Sequence, residues 1–286
     1  MPATIIIHDA ADHGRSMGPV ERKLGYAAVL WNNAWVRKTA IVLGCAVLWQ
    51  AYAHFLNNPL LFPTLTDTME AWIANIRDGS LPMRTWGSLK VLLAGYSCGI
   101  VAAALLTVFA ISTRIGSDIA ETLTAMFNPL PAIALLPLAM IWFGLGVGSL
   151  VFVLVHSVLW AVALNTHAGF LGVSQTLRMV GRNYELTGLR YVAKILIPAA
   201  FPSILTGLKI GWAFSWRTLI AAELVFGVSS GRGGLGWFIF EHSNQLDAPS
   251  VFAGLLTVIL LGLIVEGVIF QVIERRTVVK WGLAVR

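Results

Sequence analysis

Four ionisable residues stand where ionisable residues are costly. Arg217, Glu223 and Glu266 interrupt long apolar stretches, and His156 lies in a run, Thr122 to Leu177, without one Asp, Glu, Lys or Arg. At the centre of a hydrocarbon layer each charge costs about 2.5–3.5 kcal/mol on insertion scales, so each must face a helix bundle's interior or a wet cavity. Two kinds of chemistry fit them. A guanidinium attracts an anion crossing the midplane, and carboxyls with an imidazole relay protons. Arg217 and Glu223 are six residues apart, about 120° around a helix, so they are not a same-face pair. Arg217 therefore either meets an anion or pairs with an acid on another span, such as Glu266. His156 is either a hydrogen-bonded core histidine or a ligand. Trp212 and Trp216 either line a pore or fill span packing.

Other signals are absent or fail. Gly231-Arg-Gly-Gly-Leu-Gly236 matches the dinucleotide pattern by letter, but it follows a membrane helix with no strand before it. It reads as a flexible outer turn or a re-entrant piece leading into Trp237. There is no G-x-x-x-x-G-K-[ST], no H-E-x-x-H, no serine elbow and no metal-ligating cluster, so no catalytic residue and no metal site is expected. Cys45 and Cys98 lie in apolar runs and read as small buried residues.

The elements that must position these residues follow from composition. Of 286 residues, 57% are hydrophobic and only 12% charged, with 11 Trp and 27 Gly. Soluble domains carry about 25% charged residues, so a disordered chain, a collagen and a nucleic-acid-binding domain are excluded, and the composition counts against an ordinary soluble enzyme. A span needs about 20 apolar residues. Six candidates result, an all-α polytopic bundle: 39–55, 91–112, 124–145, 149–171, 199–226 and 251–273. The break between the third and fourth falls at Gly144-Leu-Gly-Val-Gly148. Fourteen Lys or Arg then lie on the side of the termini, with Arg114, Arg178, Arg182, Arg190 and Lys194 among them. Four, Arg77, Arg84, Lys90 and Arg232, lie on the other. That asymmetry predicts both termini inside and accounts for the net charge of +6 without nucleic acid. Residues 1–38 read as a cytoplasmic tail, in which 20–36 form either an interfacial helix or a loose segment. Residues 39–275 read as one membrane domain and 276–286 as a second tail. The outer loop 57–84 holds an amphipathic stretch, Thr66–Ile76, capped by Asp67 or Thr66.

The inside loop 172–198 is the most informative segment. It reads as a short amphipathic helix, a polar turn, a second helix and a proline-marked start of the fifth span. Pro198 and Pro202 suit a first helical turn. Leu177, Tyr184, Leu186, Leu189 and Tyr191 among basic residues present too much apolar surface for water alone. The loop resembles the cytoplasmic coupling loop of ABC importer permeases of the nitrate, sulfonate, taurine and bicarbonate group, which ends in a run like Ile195-Leu-Ile-Pro-Ala-Ala-Phe-Pro-Ser-Ile-Leu-Thr-Gly-Leu-Lys209. Asn128–Gly146 is similar to that family's proline-rich third-span signature, and Trp216-Arg-Thr-Leu-Ile-Ala-Ala-Glu-Leu224 to its fifth-span signature. The likeness covers roughly residues 80–275. Where the family opens the loop with Glu-Ala-Ala or Ala-Ala, this chain has Val180 and Gly181. Where the family has its loop glycine, gapless counting places Glu185, with Gly188 three residues later.

The resemblance implies a type I importer permease in a bacterial inner membrane, itself no enzyme and binding no cofactor. Two copies of a separate ATPase would carry ATP and Mg, grip Arg182, Asn183, Tyr184, Glu185, Leu186, Gly188, Leu189 and Arg190, and drive alternating access. A second permease copy and a periplasmic solute-binding protein would complete the assembly, the latter received by loops 57–84 and 227–249. Trp216, Arg217, Glu223 and His156 would line the pathway of a small, anionic solute, with the family match favouring a structural part for Glu223. The alternative is an ion-coupled secondary transporter using Glu223, Glu266 and His156 as a proton relay.

Overall fold

The computed structural model describes residues 32–226 and 233–282. Most of the expected surface helix at 20–36 therefore lies outside the described residues. The chain divides into two compact units, Met1–Asp67 and Thr68–Arg286.

The first unit holds α1 (Ala34–Leu56), capped by Asn33, whose side chain accepts from Trp35 N–H, and ended by Asn57 in the left-handed region (φ 47°). Its apolar residues point outward; Ile41, Val42, Val47 and Leu48 are all exposed, and Ala53 is its buried residue. An all-round apolar helix of this length suits lipid. Trp49 Nε1 donates to Pro63 O at 3.0 Å. The next helix, α2 (Leu65–Arg77), starts one residue before the expected stretch. Thr64 caps it, with Thr64 Oγ1 accepting from Asp67 N–H (3.1 Å) and Asp67 Oδ2 accepting from Thr64 N–H (3.3 Å). This reciprocal capping box corrects the expectation that Thr66 or Asp67 caps alone.

In the second unit, α3 (Ser80–Ser112), α4 (Arg114–Phe127), a 3₁₀ turn (Ala132–Leu135), α5 (Leu136–Phe143) and α6 (Val147–Leu171) follow in order. The elbow is α7 (Gln175–Asn183) and α8 (Gly188–Tyr191), and a π-helical turn (Val192–Leu196) leads into α9 (Ile197–Phe226). On the far side of residues 227–232 come α10 (Leu235–Asn244) and α11 (Ala248–Ile264). The last span continues through a π segment (Val265–Phe270), α12 (Gln271–Glu274) and a second π segment (Arg275–Val279). No strand occurs among the described residues.

Five helices are long and apolar enough to cross a membrane; a sixth crossing exists only if α4 and the 132–143 segment are one span, bent by 89°. The expected continuous span at 124–145 is thus corrected. Pro129 and Pro131 lack the amide hydrogens that would continue the helical ladder, so it breaks after Asn128, which still holds helical backbone. The second and sixth spans are longer than expected, Ser80–Ser112 and Ala248–Val279, because Arg84, Lys90 and the C-terminal basic residues extend helices past the hydrocarbon.

The core sits where α6 packs along both α3 and α9. Small residues permit the approach: an added Cβ on Gly95 would meet Leu154, one on Gly99 would meet Val158, and one on Gly207 would meet Asn165 and the Ala161 carbonyl. Close packing over glycine substitutes for the hydrophobic drive that lipid removes. Cys45 and Cys98 are exposed on the chain surface, a correction with the same origin: in a bilayer an apolar side chain gains little by turning inward.

Outside the spans, Asp247 caps α11 by accepting from Ser250 N–H (3.3 Å) and faces His242 Nδ1 at 3.0 Å. Burial would raise its pKa, but the Ser250 and His242 hydrogen bonds outweigh burial and hold the carboxyl below its usual 3.8. A depressed carboxylate contributes stability above its unfolded pKa and loses it as pH falls through the folded value. Amide exchange in the first turn of α11 is therefore expected to be faster in Asp247→Asn than in the wild type at neutral and mildly acidic pH. That difference should shrink once pH falls below 3.8.

Candidate substrate groove and coupling elbow

Two of the four expected pathway residues come together. His156 on α6 and Arg217 on α9 line one groove of about 280 Å³, closed on one side by the broken segment Asn128–Ile133 and flanked by Ser157, Trp160 and Thr218. Ser157 Oγ donates to Thr218 Oγ1 at 3.1 Å, tying α6 to α9 at the groove wall. Trp160 Nε1 donates to His156 Nδ1 at 3.1 Å. An indole N–H only donates, so Nδ1 carries the lone pair and the ring is neutral with its proton on Nε2. That nitrogen is buried without a hydrogen-bond partner among the described residues. The Phe127 ring stacks on Trp160 with centroids 5.4 Å apart and fixes the pair against the break. Arg217 is exposed in the groove and forms no ion pair among the described residues. The pairing with Glu266 is not made: Glu266 lines a different groove with Lys209 and Glu274, where Lys209 Nζ meets Glu274 Oε2 at 2.7 Å.

The other two pathway residues lie in the core, a correction to their expected place. Trp216 is 6% exposed and donates from Nε1 to Val258 O at 3.3 Å, packed against the last span. Glu223 is 4% exposed. It accepts from Ser88 Oγ at 2.8 Å and from Gly236 N–H at 2.9 Å, while Ser88 Oγ accepts from Leu235 N–H at 2.7 Å. Glu223 thus joins α9, α3 and the start of α10. The buried acid needs donors, and two backbone amides of the glycine-rich stretch and the Ser88 hydroxyl supply the network. The letters that imitate a nucleotide loop are needed here for space: a Cβ on Gly234 would collide with Glu223 Oε1 and Ser88 Oγ, and one on Gly236 with Ile220 O. Arg84 closes the same end, donating to Gly233 O (3.0 Å) and pairing with Glu241 (2.9 Å). No hydrogen-bonded chain links Glu223, Glu266 and His156 among the described residues. Sequence reasoning missed Ser88 altogether, since a serine near a span's polar end gives no signal of its own.

The elbow has the expected helix–turn–helix form. Ser174 caps α7 by accepting from Leu177 N–H (3.4 Å). Arg178 reaches back to the end of α6, donating from Nε to Val173 O (3.1 Å) and from Nη2 to Phe170 O (2.6 Å). The chain turns at Tyr184–Thr187, with Leu186 N–H bonded to Gly181 O (3.0 Å). Glu185 and Gly188 both take left-handed backbone, each at φ 54°. The position where the resemblance places a glycine is therefore one where glycine is unstrained and an L-residue is not. Gly181 faces the Tyr191 ring so closely that a Cβ there would sit 2.7 Å from it. Tyr184 is 75% exposed, Arg182, Asn183, Glu185 and Arg190 are exposed and Leu186 is half-buried. The Leu189 side chain lies outside the described residues. Pro202 sits inside α9 rather than at its first turn; the π turn upstream starts the helix earlier than the proline suggests, and Thr206 Oγ1 donates to Pro202 O at 3.0 Å.

A polytopic helical bundle, an elbow of amphipathic helices and a basic groove beside a broken span define an importer permease, and the sequence comparisons agree. Residues 95–279 match the family described as the binding-protein-dependent transport system inner membrane component, and the chain belongs to it. It is a multi-pass inner-membrane permease subunit of the ABC importer type. Among its relatives, the nitrate import permease of Synechocystis sp. is 30% identical over 66% of this chain and 67% of its own length. The taurine transport system permease of Escherichia coli is 25% identical over 86% of this chain and 92% of its own. The bicarbonate transport system permease of Synechococcus elongatus is 28% identical over 79% of this chain and 83% of its own.

Proposed function

We propose that this permease passes a small oxyanion through the His156–Arg217 groove by alternating access, driven by two separate ATPase subunits that hold the elbow at residues 182–190. The observation that carries the reading is Arg217, a guanidinium without an ion pair among the described residues, open to a groove whose other lining polar residues are Asn128, His156, Ser157, Trp160 and Thr218. Relatives named for nitrate, taurine and bicarbonate transport support that reading, since two are inorganic oxyanions and the third carries a sulfonate. A second copy of the chain would complete the pathway, and a periplasmic binding protein would deliver cargo at the outer loops, with both termini inside. To move most of the population from one arrangement to the other, ATP must favour it by about 5.5 kcal/mol, and the exposed ring of Tyr184 and the charges of Arg182 and Arg190 offer the grip.

The test is uptake in proteoliposomes containing the ATPase and binding-protein partners. Arg217→Gln is expected to lower anion uptake at least about tenfold, roughly 1.4 kcal/mol, while ATP hydrolysis stimulated by the binding protein persists. Arg217→Lys should retain part of the uptake, because it keeps the charge but not the forked donors. Wild-type uptake by Arg217→Gln overturns the reading.

A further inference from the structure

A second basic cavity lies at the elbow end of the bundle. It measures about 710 Å³ and is walled by the corner between α3 and α4, the end of α6 and the elbow itself. Arg114, Arg178 and His167 line it together with hydroxyls of Ser112, Thr113 and Ser117, and no Asp or Glu is among its lining residues. Arg114 makes no ion pair or hydrogen bond through its side chain among the described residues. Arg178 spends its Nε N–H on the Val173 carbonyl of the loop and one N–H of Nη2 on the Phe170 carbonyl of α6, which leaves three of the five donors of a guanidinium. His167, 9% exposed, meets Ser117 Oγ at 3.3 Å; Ser117 Oγ also donates to the Glu121 carboxylate, outside the lining, at 3.3 Å, and Ser112 Oγ donates to Val108 O at 2.6 Å. Thr113 caps α4 at Gly116 N–H (2.9 Å), so the positive end of that helix dipole opens on the same space.

We propose that this cavity binds an oxyanion and that its occupancy orders the coupling elbow. The wall explains the link. Gly188 and Tyr191 of the elbow face the cavity, and Tyr191 is the ring against which Gly181 is packed without room for a Cβ. A ligand bridging Arg114 on α4 and Arg178 on α7 binds best when α4, α6 and the elbow are close, and so shifts the population toward that arrangement. Two guanidiniums, with the Thr113 hydroxyl beside them, suit a tetrahedral oxyanion, whether phosphate, sulfate or a sulfonate free in solution, or the phosphodiester of an anionic lipid. Only the consequence for transport rests on the coupling reading of the elbow; binding is read without it.

The experiment is hydrogen exchange over residues 174–191 of the assembled transporter in nanodiscs. In phosphatidylcholine discs, sulfate is compared with chloride at equal ionic strength. In a second arm, phosphatidylglycerol replaces part of the phosphatidylcholine without sulfate. Slower exchange with sulfate in the wild type, lost in Arg114→Gln and kept in Arg114→Lys, supports a site for the free anion. Slower exchange with phosphatidylglycerol, lost in the same variant, supports the site with lipid as the source. No protection in either arm, or equal protection in Arg114→Gln, overturns the proposal. Arg114 is exposed, so the variant's unchanged melting checks that its fold is intact. Because exchange is read rather than uptake, failure here is distinct from failure of Arg217.

Discussion

Replacing Glu223 by alanine is expected to destabilise the purified permease by about 2–6 kcal/mol, about 1–3 kcal/mol for each of the two buried donors left without an acceptor. The side chain accepts from Ser88 and Gly236, and Ser88 in turn holds Leu235. Removing the acid leaves a buried hydroxyl and a backbone amide without partners, and opens a void between α9, α3 and α10. Glu223→Gln keeps one acceptor oxygen and should lose less than half as much. Gly234→Val attacks the network from the other side by driving a side chain into the Glu223 carboxyl; it should melt as low as Glu223→Ala. Thermal unfolding followed by tryptophan fluorescence distinguishes the three. An alanine variant that melts with the wild type would remove the network from any account of stability.

The second large effect is expected at Arg178. Arg178→Ala should leave ATP hydrolysis by the assembled transporter near the wild-type rate while uptake falls at least about tenfold, a loss of roughly 1.4 kcal/mol or more. Its guanidinium satisfies the Phe170 carbonyl in the last turn of α6, where a cation is favoured by the helix dipole, and the Val173 carbonyl just beyond it. It is thereby the bolt between α7 and the helix that packs along both α3 and α9. Without it, α7 hangs from Gly172–Ser174, and a push on the elbow moves the elbow alone. Lysine cannot make two divergent bonds at once, so Arg178→Lys should fall between. The ratio of solute moved to ATP consumed is the measurement, and a wild-type ratio in Arg178→Ala would refute the bolt.

What composition and periodicity made legible was the membrane class, five of the spans and the elbow, because each rests on long runs with one dominant signal. The groove was half legible. Arg217 and His156 were singled out as polar groups in apolar runs, and they share a wall because α6 and α9 pack along each other. Glu223 was singled out by the same rule but belongs to the core, because a buried acid and a pore-lining acid look alike until their donors are known. Those donors are a serine and amides of a glycine stretch, groups without a pattern. The apolar continuity of 122–177 hides the 89° break, and the prolines at 129 and 131 mark the bend as well as the family signature. Arg178 counted toward topology as a positive charge, whereas its geometry gives it a second role as a cap.

The bend between α4 and α5 has an electrical consequence. Fourteen helical residues reach about 21 Å and eight about 12 Å, so neither piece crosses about 30 Å of hydrocarbon by itself. Open backbone at that depth is tolerated only against protein or water, and Asn128–Ile133 borders the groove. On the proposed pathway, a solute at this break would shed its hydration over only a fraction of the bilayer, and the barrier that separates the two compartments' ions would be concentrated there.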